Sequence, residues 1–301
     1  MDRFAAMRTF VEVADTGGFA AAGRVLNMSP PAVTRAVATL EQMVGTRLFI
    51  RTTRSVRLTD SGQRYLDDCR QILAAVTEAE ASAAGSYSTP TGLLSVTAPV
   101  LFGQQHILPI LTDFLDAHSQ LSAQTIFVDR VTNIIDEGID VAVRIGDLPD
   151  SSYSAVRVGE VTMRVCASPD YLDRFGVPDH PSELPEHRTI ISTSGFSSLV
   201  WRFGKQEKLA VTVKPRLKCS GYSSVIGSAI KGWGIIRTLS YQVDPAIDTD
   251  QLIPILEDFE PYPLPVHIVF PEGRAASAKV RAFVDFAAAR LRQEPALRST
   301  K

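Results

Sequence analysis

In the stretch RLFIRTTRSVRLT (residues 47–59), four arginines, Arg47, Arg51, Arg54 and Arg57, stand among hydroxyls with no acid between them. A guanidinium offers a planar fork of N–H donors that matches a phosphate or a carboxylate, and it holds its charge at any physiological pH. A cluster of this kind describes a surface for a polyanion, against the commoner alternative of a solvated hairpin. Other chemistry is scarce. Cys69, Cys166 and Cys219 are odd in number and far apart, which leaves no disulfide framework and no C-x-x-C pair. His106, His118, His180, His187 and His267 lack ligand spacing, and H-E-x-x-H is absent. There is no G-x-S-x-G elbow, P-loop or G-x-G-x-x-G; GYSSVIG and GWGII only come near. The expectation is a protein with no catalytic residues, no metal and no cofactor.

Charge is unevenly spread along the chain. The 301 residues carry a formal net charge of -2, yet residues 1–58 hold eight arginines against four acids, a balance of +4, which leaves -6 for the remainder. A basic head on an acidic body suggests a polyanion-binding module joined to something else. Length gives a prior of about two domains. No apolar run approaches a membrane span, and the opening MDRFAAMRTFVEV lacks the uninterrupted greasy stretch of a secretory signal. A cytoplasmic protein with no membrane partner is expected.

The elements that would position the arginines follow from periodicity. Phe4, Met7, Phe10, Val11 and Ala14 recur at helical spacing, and Gly17-Gly18 ends that helix. A short second helix runs over residues 19–26. Ser29 then suits an N-cap and Pro30 the first helical position, opening a third helix to about Val44 with Val33, Val37, Leu40 and Val44 on one stripe. Its other face, Pro31, Thr34, Arg35 and Ala38, completes a helix-turn-helix pattern shaped for a major groove. Residues 47–58 read as a hairpin beside it, with Leu48, Ile50, Val56 and Leu58 turned one way. Arg51, Thr52, Thr53 and Arg54 then offer donors to phosphates or a minor groove.

The run FVEVADTGGFAAAGRVLNMSPPAVTRAVATLEQMVGTRLFIRTTRSVRLTDSG resembles the winged helix-turn-helix of the LysR-type transcriptional regulators. The resemblance implies that double-stranded DNA is a partner, that Pro30, Pro31, Thr34 and Arg35 read bases from a helix begun at Ser29, and that the wing holds the backbone. Many members carry a glutamine where this chain has Pro30, so their operator sequence does not transfer.

After Asp60, the residues Tyr65, Cys69, Ile72, Val76, Ala79 and Ala83 alternate steps of four and three, an a/d seam of roughly three heptads. Such a seam suits one helix packed on its own body or a pair of helices; the resemblance favours a homodimer or homotetramer. GSYSTPTG (residues 85–92) reads as a linker. Beyond it come a strand (93–99), a helix (103–118), a strand (123–129), a short helix (131–138) and a strand (140–146), the alternation of βαβ units on a parallel sheet. DRVTNIIDEGIDVAVRIGDLPDSS, ASPDYLDRFGVP and AKVRAFVDF are similar to the effector domain of the same family, a two-lobed α/β fold like the periplasmic binding proteins. The expected class is therefore α+β and multidomain: a winged helix-turn-helix over residues 1–59, a linker helix and hinge over 60–92, and an effector-binding domain over 93–301. By the same analogy, lobe I takes about 93–161 and 266–301, and lobe II about 162–265.

Ligands of open α/β sheets sit at the carboxyl ends of strands. Those ends, residues 97–99, 128–130, 144–146, 192–196 and 219–222, bring forward Thr97, Pro99, Val128, Asp129, Arg144, Gly146, Phe196 and Cys219, with Phe102, Phe196, Phe203 and Trp201 as an aromatic wall or plain core. The N–H groups of a helix beginning near Gly103 could receive a carboxylate. Arg144 could clamp one, or pair with Asp129 or another acid. Cys219 near a strand end suits a buried thiol or a ligand contact. The expected effector is a small organic anion, and the resemblance adds RNA polymerase as a partner. An enzyme would need a nucleophile or metal set that is missing. A solute-binding protein would need export, and an architectural DNA-binder would have no use for two hundred residues of α/β body.

Overall fold

A computed structural model describes residues 2–51, 56–83, 90–134, 137–148, 153–195, 198–271 and 278–298. The chain divides into two compact units, Met1–Ser88 and Thr89–Lys301.

In the first unit, helix α1 (Arg3–Thr16) starts at Asp2, whose carboxylate accepts from the Phe4 N–H at 3.4 Å, and ends at Gly17 with φ +69°. The left-handed backbone there is open to glycine at no steric cost. Helix α2 (Phe19–Val25) and helix α3 (Pro30–Val44) follow, with Pro30 opening α3 after an extended Ser29. Strands β1 (Phe49–Arg51) and β2 (Val56–Leu58) pair antiparallel, and α4 (Asp60–Ala83) leaves from the hairpin. Phe10 is the hub. Its ring lies 5.1 Å from Phe49 and 5.8 Å from Tyr65, inside a core that also holds Val33, Val37, Leu40 and Leu48.

Two sequence expectations change here. In the hairpin, Leu48, Val56 and Leu58 pack on the core as expected, but Phe49 also turns inward against Phe10 and Phe19, and Ile50 is left 56% exposed opposite Arg57. The seam on α4 is partly consumed at home: Cys69 is fully buried, and Tyr65, Leu66 and Leu73 join the same core, while Ile72 faces solvent. The side chains of Ala79 and Ala83 lie outside the described residues, as do residues 84–89 of the expected linker.

Among its described residues the second unit has a five-stranded and a three-stranded sheet with two smaller strand pairs. One lobe carries β3 (Gly92–Ala98), β4 (Leu121–Phe127), β5 (Val141–Ile145), β6 (Tyr153–Val161) and β14 (Leu264–Pro271) in the order β4-β3-β5-β14-β6. The other carries β7 (Met163–Ala167) between β12 (Ile236–Leu239) and β13 (Ile253–Ile255). Beside them stand a parallel pair, β8 (Ile190–Ser192) with β11 (Leu217–Cys219), and a hairpin of β9 (Val200–Phe203) and β10 (Leu209–Thr212). Helices α7 (Pro169–Phe175), α8 (Tyr222–Ile230) and α9 (Ser240–Ile247) belong to this lobe, and α10 (Ala278–Leu291) packs on the first sheet. The chain passes from one sheet to the other at Thr162 and is back in the first by Leu264.

The parallel sheet expected from βαβ alternation is only half realised. Strands β3, β4 and β5 are parallel, whereas β14 runs antiparallel to β5 and β6, and β7 is antiparallel to both neighbours. A strand that returns from the other lobe enters its sheet from the opposite end, and direction reverses. The first crossover helix begins at Val100, not Gly103: α5 (Val100–Phe102), a π-helical turn Gly103–Ile107 and α6 (Leu108–Ala117) are continuous. The short helix expected over 131–138 is absent among its described residues.

Gly62, in the first turn of α4, lies so close to the Leu48 carbonyl that a Cβ would overlap it. Gly62→Ala is therefore expected to push the helix off the hairpin and cost at least about 1–3 kcal/mol of first-unit stability. Urea titration of the wild type and the variant checks this; an unchanged midpoint refutes the packing account.

Candidate nucleic-acid interface and ligand cleft

Buried stripes and exposed faces on α3 are set by its own period. Val33, Ala36, Val37 and Leu40 are buried, which turns Ser29, Pro30, Pro31 and Arg35 outward with Thr34 half-exposed. The Thr34 hydroxyl donates to the Pro30 carbonyl at 3.0 Å, so its methyl group and oxygen lone pairs are what remain for a partner. Arg35, Arg47 and Arg57 are exposed, and none has an ion pair among the described residues. Glu41, which counted as a neutralising acid in the sequence, faces inward: its Oε1 accepts from the Leu48 N–H at 2.8 Å and the Phe49 N–H at 3.2 Å. That carboxylate ties α3 to the hairpin. Thr52, Thr53 and Arg54 lie outside the described residues, as does the side chain of Arg51.

The second unit encloses a cleft of about 490 Å³ between its lobes, a size that suits a small organic molecule. Thr97, Pro99, Val128, Asp129 and Arg144 from the sequence-derived set meet there. Five others do not. Phe102 is fully buried, with its ring 5.3 Å from Tyr241, because it starts an inward-facing helical stripe. Gly103 is pressed against the Phe127 ring, which leaves no room for a Cβ and explains the glycine without a ligand. Gly146 sits at φ +103° and donates to the Pro265 carbonyl at 2.9 Å. Phe203 is core to the second lobe, and Cys219 is half-buried away from the cleft. Phe196 lies outside the described residues.

Tyr222, at the last of the strand ends read from the sequence, is on the cleft wall; strand-end reasoning missed Tyr153, Met163, Thr238, Tyr241 and Gln242, which are there too. The segment TLSYQ carries the same strand-to-helix signal as TAPVLF and could have been read that way; Tyr153, on a mid-chain edge strand, had no such mark. Gln242 anchors this wall. Its Oε1 accepts from the Thr238 hydroxyl and from the Leu239 N–H, and its Nε2 donates to the Tyr241 hydroxyl at 3.2 Å. Burial pushes the Tyr222 hydroxyl up to about 12 and the Tyr241 hydroxyl higher still, so both stay protonated.

Asp129 resolves the question of the helix N-terminus. Its Oδ1 accepts from the Val100 N–H at 3.0 Å and its Oδ2 from the Ser194 hydroxyl at 3.4 Å, across the lobes. The terminus expected to receive a ligand carboxylate already holds one from the protein. Arg144 does not pair with Asp129: it donates to the carbonyl and hydroxyl of Thr132, the latter at 3.0 Å. Arg130, at the rim, is held by both Glu137 oxygens at 2.8 Å. Among the described cleft residues there is no histidine, cysteine or lysine, and nothing pairs a nucleophile with a base.

Two family descriptions match the chain: residues 4–63 match the bacterial regulatory helix-turn-helix protein of the lysR family, and residues 88–292 match the LysR substrate binding domain. This chain belongs to the LysR family of transcriptional regulators. It is a DNA-binding regulator with an effector-binding domain. A helix-turn-helix transcriptional repressor of Pseudomonas aeruginosa is 31% identical over the whole of this chain and 96% of its own length. The structure of CrgA from Neisseria meningitidis, a LysR-type transcriptional regulator, is 28% identical with TM-score 0.62, covering 95% of this chain and 98% of that one. The full-length Vibrio cholerae virulence activator AphB, at 22% identity, TM-score 0.60 and coverage of 96% and 99%, shares the fold. Among the described residues no helix is long and apolar enough to cross a membrane.

The thiols separate by environment. Burial pushes Cys166 up to about 12 and raises Cys69 as well, whereas Cys219 is only half-buried. Alkylation of the native protein with iodoacetamide at pH 8 is expected to modify Cys219 alone within minutes, read by peptide mass mapping. Early labelling of Cys166 or Cys69 contradicts this burial.

Proposed function

We propose that this regulator is a cytoplasmic protein that binds operator DNA as a dimer or tetramer, with Ser29, Pro30, Pro31, Thr34 and Arg35 in the major groove and Arg51, Thr52, Thr53 and Arg54 of the wing on the backbone. A small organic anion bound between the lobes shifts the assembly between two packings, and each packing presents the DNA-binding units at a different spacing. Ligand does this only through unequal affinity for the two states. RNA polymerase reads the outcome.

The observation that carries this reading is the exposed N-terminal face of α3, where Arg35 has no ion pair among the described residues, beside a hairpin where the exposed Arg47 and Arg57 also have none among them. Self-pairing uses the later part of α4, from Ile72 onward, because Tyr65 and Cys69 are spent on the module's own core. Pairing is needed energetically, since one module with few contacts binds weakly and two engage two half-sites. Named relatives include both a repressor and an activator, so membership of the family does not fix the sign of regulation.

The test is fluorescence anisotropy on promoter fragments, beginning with the one upstream of the protein's own coding region, against random duplex. Arg51→Ala is expected to weaken binding to all sequences and to reduce the log-log salt slope by about one. Thr34→Ala and Arg35→Ala are expected to cost roughly 1–3 kcal/mol at particular base pairs only. A protein with no salt-sensitive preference for any fragment, or equal losses on specific and random DNA for Arg35→Ala, refutes the assignment.

A further inference from the structure

Behind the cleft lies a second, smaller chamber of about 30 Å³, walled by Ser192, Ser198, Trp201 and Arg237 and sharing Met163 and Tyr222 with the main cavity. The volume exceeds what one water needs and suits a group of a few heavy atoms. Arg237 stands on β12, half-buried, with its guanidinium carbon 5.3 Å from the Phe203 ring centroid. One nitrogen donates to the Arg202 carbonyl at 2.7 Å, but the buried Nε has no partner. Among the described residues no carboxylate lies within ion-pair distance; Glu207 acts on it only from farther away.

This is an unusual position for a cation. Arg164, comparably enclosed, faces Asp244 at 3.6 Å, and Arg144 is engaged by Thr132. A guanidinium keeps its charge, so burial without a counter-ion is a standing cost that an incoming anion would relieve. The neighbouring groups also suit an anion. The Tyr222 hydroxyl is protonated at any physiological pH. The Ser198 oxygen already accepts from the Val200 N–H at 3.0 Å, which leaves its proton to donate. The main cleft beside them is walled largely by aliphatic and aromatic side chains.

We propose that the Arg237 chamber receives the anionic head of the effector, while its apolar body lies in the main cleft; the ligand is a small amphipathic organic acid. Arg144 is then a positioning residue that holds the loop at Thr132, and not the partner of the acid group. This rests on the cleft being the effector site, and deepens that reading by placing the charge on the second lobe. Contacts from one molecule to both lobes would favour the closed arrangement over the open one.

Isothermal titration of the full-length protein with benzoate, phenylacetate and cinnamate, each beside its neutral amide, tests the assignment. At least one acid is expected to bind about tenfold or more tighter than its amide. Arg237→Met is expected to bring the acid-to-amide ratio close to one, Arg237→Lys to restore part of the preference, and Arg144→Met to leave the acid-to-amide ratio intact. Should Arg237→Met fail to fold, the double variant Ser198→Ala with Tyr222→Phe is expected to lower the ratio several-fold. A ratio that survives Arg237→Met or collapses in Arg144→Met overturns the proposal, as does failure of every acid to bind by about 10 mM. Leu148→Trp, which fills the main cleft, separates the two readings. If it abolishes binding while Arg237→Met changes nothing, only the chamber is wrong; if binding survives it, the cleft assignment falls as well.

Discussion

Buried backbone N–H groups have to be satisfied, and at three places in this protein a carboxylate from another element does it. Glu41 accepts from Leu48 and Phe49 where the wing begins, Asp140 from Ser95 within β3, and Asp129 from Val100 where the first crossover helix begins. An unpaired buried donor costs about as much as a lost hydrogen bond, and charge-assisted bonds are the stronger kind. Each carboxylate therefore pins one element to another: recognition helix to wing, β3 to the chain entering β5, crossover helix to the opposite lobe through Ser194. At these positions the acids, one in the basic head and two in the acidic body, are internal fasteners.

This use of carboxylates decides what the two sites can bind. With Glu41 turned inward, the outer face of α3 is left without its nearest acid, and Arg35 meets solvent with no ion pair among the described residues. In the cleft the reverse holds. Asp129 neutralises the partial positive charge of the helix N-terminus, so that terminus is not free for an anion, and a guanidinium is the group that could receive one. Arg130 is bound to Glu137 and Arg144 to Thr132, which leaves Arg237 as the half-buried cation beside the cleft with an unmet donor. Its stacking on Phe203 holds the group in place without quenching its charge.

The helix at the head of the second unit is interrupted by a π-helical turn at Gly103–Ile107. At this turn the Phe127 ring lies against Gly103, and Phe102 and His106 turn inward toward Tyr241. Tyr241 in turn lines the cleft and bonds Gln242. One aromatic cluster thus joins the first lobe's crossover helix to the second lobe's wall, a contiguous packed path of the kind that transmits small displacements.

Much of this was legible in the residues themselves. The helix end at Gly17, the start at Ser29-Pro30, the stripe Val33, Val37 and Leu40, and the strand ends at Thr97, Val128 and Arg144 follow from local periodicity and turn chemistry, which act within a few residues. The uneven charge pointed to a basic reader on an acidic body for the same reason. Tertiary structure alone decided the phase of the wing, where Phe49 displaces Ile50 from the core because it meets Phe10. It decided that Tyr65 and Cys69 belong to their own module, that Asp129 occupies the helix N-terminus, and that Arg237 and Tyr222 share a chamber. These are encounters between residues tens of positions apart, and they depend on which faces touch once the chain has closed, a quantity that no local pattern carries.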